Sequence, residues 1–290
     1  MRFETILVPL DGSETSEEVQ DWVTPLAVDL KAQLILLSVV HGPEHSGKEA
    51  AEKAELSAHH YLESRAEHAR SQGIQVTTVV KPGIPAEVIL TTATKLKADM
   101  IAMATHRESV VARGILGSVT DAVLRTAEIP VLALNPDAAN IDSGSPSTII
   151  VPLDGSPLSE SAVPVALDMA EATGARLLFL RAVHLPTFAV SGPGSEFYGI
   201  DYGISAEREA ATEYLAQFAT RAEARGLKAE VHAALGNAAA RVIEDTGNIP
   251  DAMIVMCSHG RTGFKRMLLG SIADKVVRAS HHPVLVLKNK

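Results

Sequence analysis

The hydrophobic positions along this chain form short continuous apolar runs that alternate with longer segments of helical periodicity. An apolar run of strand length is typical of a strand buried on both faces of a parallel sheet. Apolar residues spaced three and four positions apart predict amphipathic helices. Strands that alternate with helices indicate a doubly wound α/β fold. In the first half the predicted strands are 5–10, 33–40, 74–81, 99–103 and 130–134, and the predicted helices run from Ser13 to about 30, 49–72, 85–96 and 117 to about 127.

The same pattern then occurs a second time. Val-Pro-Leu-Asp-Gly-Ser stands at 8–13 and again, letter for letter, at 151–156, so Asp11 and Asp154 are 143 residues apart. Gly117 and Gly270, each followed by serine, are 153 residues apart. A polar segment with Pro and Gly lies between the two copies and is typical of a linker. The sequence therefore predicts two tandem domains, 1–137 and 148–290, joined by a linker at 138–147.

The larger offset means that about ten extra residues enter the second half between its second strand and second helix. They fall within 185–203, where Gly and Pro predict a loop. This segment carries Phe197, Tyr198 and Tyr202 in a chain that is only 4% aromatic. Such a cluster favours a lid or a contact surface, and a tolerated surface insertion explains it equally well.

Composition narrows the classes of function. The net charge is −9 and no long basic block is present, which makes nucleic acid a poor candidate partner. No apolar run reaches the length that spans a membrane, and the first residues lead directly into a strand rather than a secretory signal. Cys257 is the single cysteine, so an internal disulfide is excluded and a reducing compartment is indicated. We expect a cytoplasmic protein.

A strand–loop–helix segment at 251–287 carries the candidate chemistry. Gly270 and Ser271 stand where the helix begins, so Ser271 is expected to cap it and backbone N–H groups point outward. A helix start of this kind binds anions, and phosphate most often. Cations in the same loop favour that interpretation: Arg261, Lys265 and Arg266. An ordinary capped helix after a surface loop explains the pattern equally well.

The spacing of these residues in each half resembles the universal stress protein family. The family's nucleotide-binding members carry Gly, two residues, Gly, nine residues, Gly, then Ser or Thr. The second half has this spacing but begins with Cys257 in place of the first glycine, followed by Gly260, Gly270 and Ser271. The first half has Ala104 and Arg107 at its first two glycine positions, then Gly117 and Ser118. The resemblance covers nearly the whole chain as two copies.

The resemblance implies two five-stranded parallel sheets of order 3-2-1-4-5, with helices on both faces. It also implies that the second half binds ATP or a related adenine nucleotide, which Mg²⁺ can accompany. The site would lie at the switch point, the place between strands 1 and 4 where the strand order reverses, beyond their carboxyl ends. Asp154 would accept hydrogen bonds from the ribose, Gly260 and Gly270 would let the backbone approach phosphate, and His259 would order the loop. The complete candidate binding set is Pro152, Asp154, Ala182, Met256, His259, Gly260, Arg261, Gly270, Ser271 and Ile272, with adenine expected against Ala182 and Met256.

Two departures from the family motif affect this expectation. Cys257 is small, and we expect its thiol to pack aside as a buried, inert group. Arg107 places a long side chain where the family brings backbone to phosphate, so it either fills the first-half site or clasps phosphate itself. We favour loss of binding in the first half, which leaves Asp11 as a structural residue that accepts backbone N–H groups.

Three functions fit these features. The first is a regulatory module that binds an adenine nucleotide and acts on an unidentified protein partner. The second is a slow ATPase, and the third is an interaction scaffold without a ligand. No base or metal-binding carboxylate pair is evident near the phosphate site, so we expect no enzyme, no catalytic residue and no metal site.

Strand 5 of each half predicts how the domains assemble. It lies at a sheet edge in this fold, and an exposed edge must be covered. Single-domain members of the family that the chain resembles cover this edge by pairing strand 5 between two chains. The resemblance therefore implies that 131–133 pairs antiparallel with 284–286 within one chain, as an internal pseudo-dimer. Association of two chains into a homodimer through other surfaces, including 197–202, is a further possibility.

Overall fold

The computed structural model describes residues 2–40, 47–105, 116–135, 145–183, 198–258 and 269–288. The first half contains β1 (Thr5–Pro9), α1 (Glu14–Leu30), β2 (Gln33–Val40), α2 (Lys48–Ser71), β3 (Val76–Pro82), α3 (Pro85–Lys95), β4 (Met100–Ala104), α4 (Ser118–Thr126) and β5 (Val131–Leu134). The second half contains β6 (Thr148–Pro152), α5 (Pro157–Glu160), α6 (Ala162–Thr173), β7 (Arg176–Val183), α7 (Tyr198–Glu223), β8 (Ala229–Leu235), α8 (Ala238–Thr246), β9 (Ala252–Cys257), α9 (Ser271–Ala279) and β10 (Val284–Leu287).

The ten strands of the described chain form one continuous sheet of order β3-β2-β1-β4-β5-β10-β9-β6-β7-β8. Within each half the strands are parallel and follow the order 3-2-1-4-5. The halves meet where β5 pairs antiparallel with β10, with Leu285 opposite Leu132. The predicted doubly wound fold and the internal pseudo-dimer are both confirmed.

Alternate strand residues face two hydrophobic layers on opposite sides of the sheet. One layer packs under α1, α2, α6 and α7 and includes Trp22 and Phe179. The other packs under α3, α4, α8 and α9 and includes Ile89 and Val276. Each layer contains residues of both halves, so the two domains share their core instead of folding around separate ones.

The predicted loop at 185–203 is wrong at its carboxyl end, because α7 already begins at Tyr198. Both prolines of the insertion, Pro186 and Pro193, lie upstream of that point and nothing between 198 and 223 is proline. Proline therefore does not stop the helix from extending backward to Tyr198. The proposed lid or contact surface at Phe197 lies outside the described residues. Among the described helices, none is long and apolar enough to cross a membrane.

Candidate functional site

The strands on either side of the switch point separate at their carboxyl ends. β6 stays paired with β7 as far as Pro152 opposite Leu180. Its pairing with β9 ends earlier, at Ile150 opposite Ile254. The first half repeats this, because β1 and β4 pair only at 6–7 and 100–101. An opening at the switch point is where open α/β sheets place their ligands.

Asp154 borders this opening directly after β6. Its Oδ1 accepts hydrogen bonds from the backbone N–H of Ser156 at 2.9 Å and from the Ser156 hydroxyl at 2.6 Å. Ser156 in turn caps α5 by accepting from the N–H of Ser159. The carboxylate is therefore fixed in orientation by the turn that begins the helix.

Asp11 has the same geometry in the first half. Its Oδ1 accepts from the Ser13 N–H at 3.0 Å and from the Ser13 hydroxyl at 2.6 Å, which confirms that it accepts a backbone N–H. Burial alone would raise the pKa of Asp11, but the hydrogen bonds from Ser13 and Ser16 outweigh it and hold the pKa below its usual value.

Helix α9 begins beside the same opening, with Gly270 as its cap residue at φ −61° and ψ 148°. The expectation that Ser271 caps this helix is wrong: Ser271 is the first helical residue, and the cap position belongs to a glycine that has no side chain. The Gly270 N–H donates to the carbonyl of Ser258 at 2.7 Å, which fixes the helix start against the end of β9. Since no cap side chain accepts from the first turn, its N–H groups keep their anion-binding capacity.

Cys257 stands where the family motif has its first glycine. Its side chain is 5% exposed and lies in the layer under α6, whereas α9 packs on the opposite face of the sheet. Its Sγ is 3.1 Å from the Ser161 hydroxyl, and burial raises the pKa of the thiol. The prediction that this side chain packs aside is confirmed.

The remaining candidates lie where the carboxyl ends of the strands meet. Pro152 is the last residue of β6, Ala182 pairs with Ala234 near the end of β7 and β8, and Met256 pairs with Val286. Ile272 lies in the first turn of α9 and is 39% exposed. His259, Gly260 and Arg261 lie outside the described residues, as does Arg107 in the first half.

A polar cluster near this opening was missed from the sequence. The Tyr214 hydroxyl donates to Glu160 Oε1 at 2.9 Å, and the Arg181 guanidinium lies 4.5 Å from the centre of the Tyr214 ring. Burial, and then the hydrogen bond to Glu160, raise the pKa of Tyr214. The repeat held a signal for it, because Tyr61 and Glu17 occupy the equivalent positions in the first half. Among the described residues, no group of His, Cys, Asp or Glu is arranged to hold a metal ion.

Comparison with known proteins identifies the family. The model of the universal stress protein family matches residues 2–135 and again 146–288. The chain belongs to the universal stress protein family.

Individual universal stress proteins support this assignment. Universal stress protein Rv2005c of Mycobacterium tuberculosis is 31% identical over 66% of this chain, and the match spans 62% of that relative's length. Universal stress protein Rv1996 of the same organism is 28% identical over 98% of this chain and 94% of its own. The crystal structure of a universal stress protein from Archaeoglobus fulgidus shares the fold, with a TM-score of 0.73 and 21% identity over 99% of this chain and 98% of that one.

Proposed function

We propose that this universal stress protein is a regulatory module that binds one adenine nucleotide, ATP or a close relative, in its second half. The observation that supports it best is that the oriented carboxylate of Asp154 and the glycine-capped start of α9 border the same opening. A carboxylate accepts hydrogen bonds from ribose hydroxyls, and a helix start without a side-chain cap binds phosphate. Occupancy would be signalled to a protein partner through conformation or assembly.

The residues around the opening are compatible with such a ligand. The thiol of Cys257 lies on the face of the sheet away from α9, so it does not obstruct a phosphate at the helix start. The backbone groups of Ala182 point to the side where β6 has ended and are available for the adenine ring, whereas those of Met256 are directed to β10. When bound, Mg²⁺ would neutralise charge on the phosphates.

The two halves share the Asp–Ser turn and the Gly–Ser helix start, so a variant of the first half can serve as the control for the same variant of the second half. Gly270 has a negative φ that valine also adopts, and Gly117 has nearly the same conformation in the first half. Calorimetric titration with ATP and Mg²⁺ should show one site per chain. Gly270→Val should abolish it, because a branched side chain blocks the approach of phosphate to the helix start, and Gly117→Val should leave it unchanged.

Two sites per chain in this titration would mean that the first half also binds, and no site would favour the scaffold. An unchanged titration with Gly270→Val would place the ligand elsewhere.

We further propose that hydrolysis is not the function. Fast phosphoryl transfer needs a group that positions the attacking water and usually carboxylates that hold Mg²⁺. Asp154 is the one carboxylate assigned to this site, and its proposed role is ribose binding. Turnover of ATP should stay below about 1 s⁻¹, the low end of ordinary enzymes. Faster turnover that falls with Asp154→Ala would instead support the ATPase.

A further inference from the structure

The sheet ends in two outer strands, β3 and β8, whose outward backbone groups can be assigned from their hydrogen bonds. In the second half the Leu177 N–H donates to the Lys228 carbonyl at 2.8 Å, and the Gly236 N–H donates to the Val183 carbonyl at 2.9 Å. Even-numbered residues of β8 therefore bond to β7. Because backbone groups alternate along a strand, the N–H and C=O groups of 229, 231, 233 and 235 point to the outer edge.

The outer edge of β3 is blocked at both ends. The Leu34 N–H donates to the Gln75 carbonyl and the Gly83 N–H to the Val40 carbonyl, so the even-numbered residues of β3 point outward. The Arg70 guanidinium donates to the outward carbonyl of Val76 at 3.1 Å. Pro82, the last outward residue, has no N–H. A covered acceptor and a missing donor are devices that keep an edge strand from pairing.

The outer edge of β8 has neither device. At the offset of 153 residues, Glu223 replaces Arg70, and a carboxylate cannot donate to the carbonyl of Ala229. Leu235 replaces Pro82 and restores a backbone N–H at the carboxyl end of the edge. No strand of the described chain pairs with this side of β8.

A cavity of about 460 Å³ lies along the carboxyl half of this edge. Its walls are residues 233–235 of β8 with Arg208 of α7 on one side and Arg241, Asp245 and His232 on the other. Asp245 already accepts from Arg241 at 3.0 Å and is hydrogen-bonded to His232 at 3.0 Å. Arg241 pairs with Glu244 as well as Asp245, so its charge is compensated. Arg208 has no ion pair with any residue in the described ranges, so its positive charge is not neutralised there.

We propose that the outer edge of β8 is a docking site for an extended segment of a partner protein. The segment adds a strand to the sheet by bonding to the outward groups of Val231, Ala233 and Leu235, and it places an acidic side chain against Arg208. A second copy of this chain fits less well. Antiparallel pairing of two β8 strands about Ala233 would bring the unpaired Arg208 side chains of both copies together, and like charges repel.

Hydrogen exchange tests the assignment of the edge in the free protein. The amides of Val231, Ala233 and Leu235 should exchange quickly, whereas those of His232 and Ala234 should be protected by their bonds to β7. Protection of all five amides in a monomer would overturn the proposal, because the edge would then be covered by the chain itself. Protection that grows with protein concentration, together with dimers in sedimentation, would identify a second copy as the occupant and also overturn it.

Binding of a labelled peptide tests the occupant. The probe is Thr-Val-Thr-Asp-Val-Thr, with two control peptides, one with Lys in place of Asp and one with Pro in place of both Val. Fluorescence anisotropy should show that the Asp peptide binds and protects the amides of Val231, Ala233 and Leu235. The Pro peptide should not bind. Equal binding of all three peptides, or no binding of the Asp peptide at millimolar concentration, would overturn the proposal.

Two variants connect that binding to the edge. Leu235→Pro introduces the residue that stands at the equivalent position of the first half, Pro82. It should weaken binding of the Asp peptide about tenfold by removing one backbone hydrogen bond. Leu235→Ala keeps the N–H and should bind the Asp peptide like the parent protein. Arg208→Glu should remove the preference for the Asp peptide over the Lys peptide. This variant tests the proposal by itself if Leu235→Pro does not fold. Unchanged binding in a folded Leu235→Pro, or an unchanged preference in Arg208→Glu, contradicts the proposal.

Discussion

Leu132 of β5 and Leu285 of β10 lie opposite each other in the antiparallel junction between the two halves, and both side chains are fully buried. They belong to a single hydrophobic layer that also contains residues of α1 and α6. The junction therefore does more than cover two strand edges. It joins the domains into one unit whose halves should unfold together.

Removing either leucine side chain should destabilise the whole chain. Leu132→Ala and Leu285→Ala should each lower the free energy of unfolding by about 2–5 kcal/mol, because each leaves a cavity in a shared core. Urea unfolding followed by circular dichroism measures this. Leu56→Ala is the control, since Leu56 is 58% exposed and should change stability by no more than about 0.5 kcal/mol. Two separate unfolding transitions in the parent protein would contradict the shared core.

A network of four charges crosses the same junction between α4 and α9. Asp121 pairs with Arg125, and Asp274 with Arg278, within each helix at 2.8 and 2.9 Å. Arg278 also lies 3.4 Å from Asp121, and Arg125 lies 3.9 Å from Asp274, so each arginine reaches across the pseudo-twofold.

A double-mutant cycle on Asp121→Ala and Arg278→Ala should give a coupling energy of about 0.5–1 kcal/mol, since both side chains are partly exposed. The coupling should decrease in 1 M salt, where charges are screened within about 3 Å. The matched control is a cycle on Glu52 and Arg278, which lie on opposite faces of the sheet and should not couple. Coupling that is absent at low salt would show that the cross-junction pair contributes nothing to stability.

The thiol of Cys257 should be unreactive in the folded protein. It is buried against Ser161, and burial raises its pKa, so little reactive thiolate forms at neutral pH. Titration with a thiol reagent at pH 7.5 should show slow labelling of the native chain and rapid labelling in urea. The control is Leu56→Cys, which places a thiol on the surface of α2 and should react at once. Equally fast reaction of Cys257 would mean that it is accessible.

His282 should make the protein less stable in mild acid. Its side chain is 1% exposed, its Nε2 bonds to the Thr246 carbonyl at 2.7 Å, and burial holds its pKa below the ordinary value of 6.5. Below pH 6.5, His282 is protonated in the unfolded chain but stays neutral in the folded chain. The free energy of unfolding therefore falls as the pH falls toward the pKa of His282 in the folded protein. The slope from this residue is at most about 1.4 kcal/mol per pH unit.

Urea unfolding between pH 7 and 5 measures that slope. His282→Ile, which copies Ile129 at the equivalent position of the first half, should be less stable at pH 7 because the Thr246 carbonyl loses its donor, yet it should show a smaller loss on acidification. Leu56→Ala on the exposed face of α2 removes no titratable group and should leave the slope unchanged. An equal slope in His282→Ile would show that His282 is not the group that titrates.

The sequence by itself determined the elements and their order. Continuous apolar runs of strand length, such as 5–10 and 252–256, are typical of strands buried on both faces. The repeated Val-Pro-Leu-Asp-Gly-Ser indicated two domains because identical local patterns fold alike. The antiparallel junction was predicted from the resemblance to the family, which places the short apolar strand 5 of each half at a sheet edge.

The tertiary structure decided which atoms meet, because partners far apart in the chain leave no local period. It placed the thiol of Cys257 on the face away from α9, next to Ser161, and it moved the cap of α9 from Ser271 to Gly270. It also separated two outer strands of similar sequence pattern: Arg70 and Pro82 block β3, whereas β8 keeps its outward N–H and C=O groups. That difference depends on the direction of each hydrogen bond, which only the paired sheet fixes.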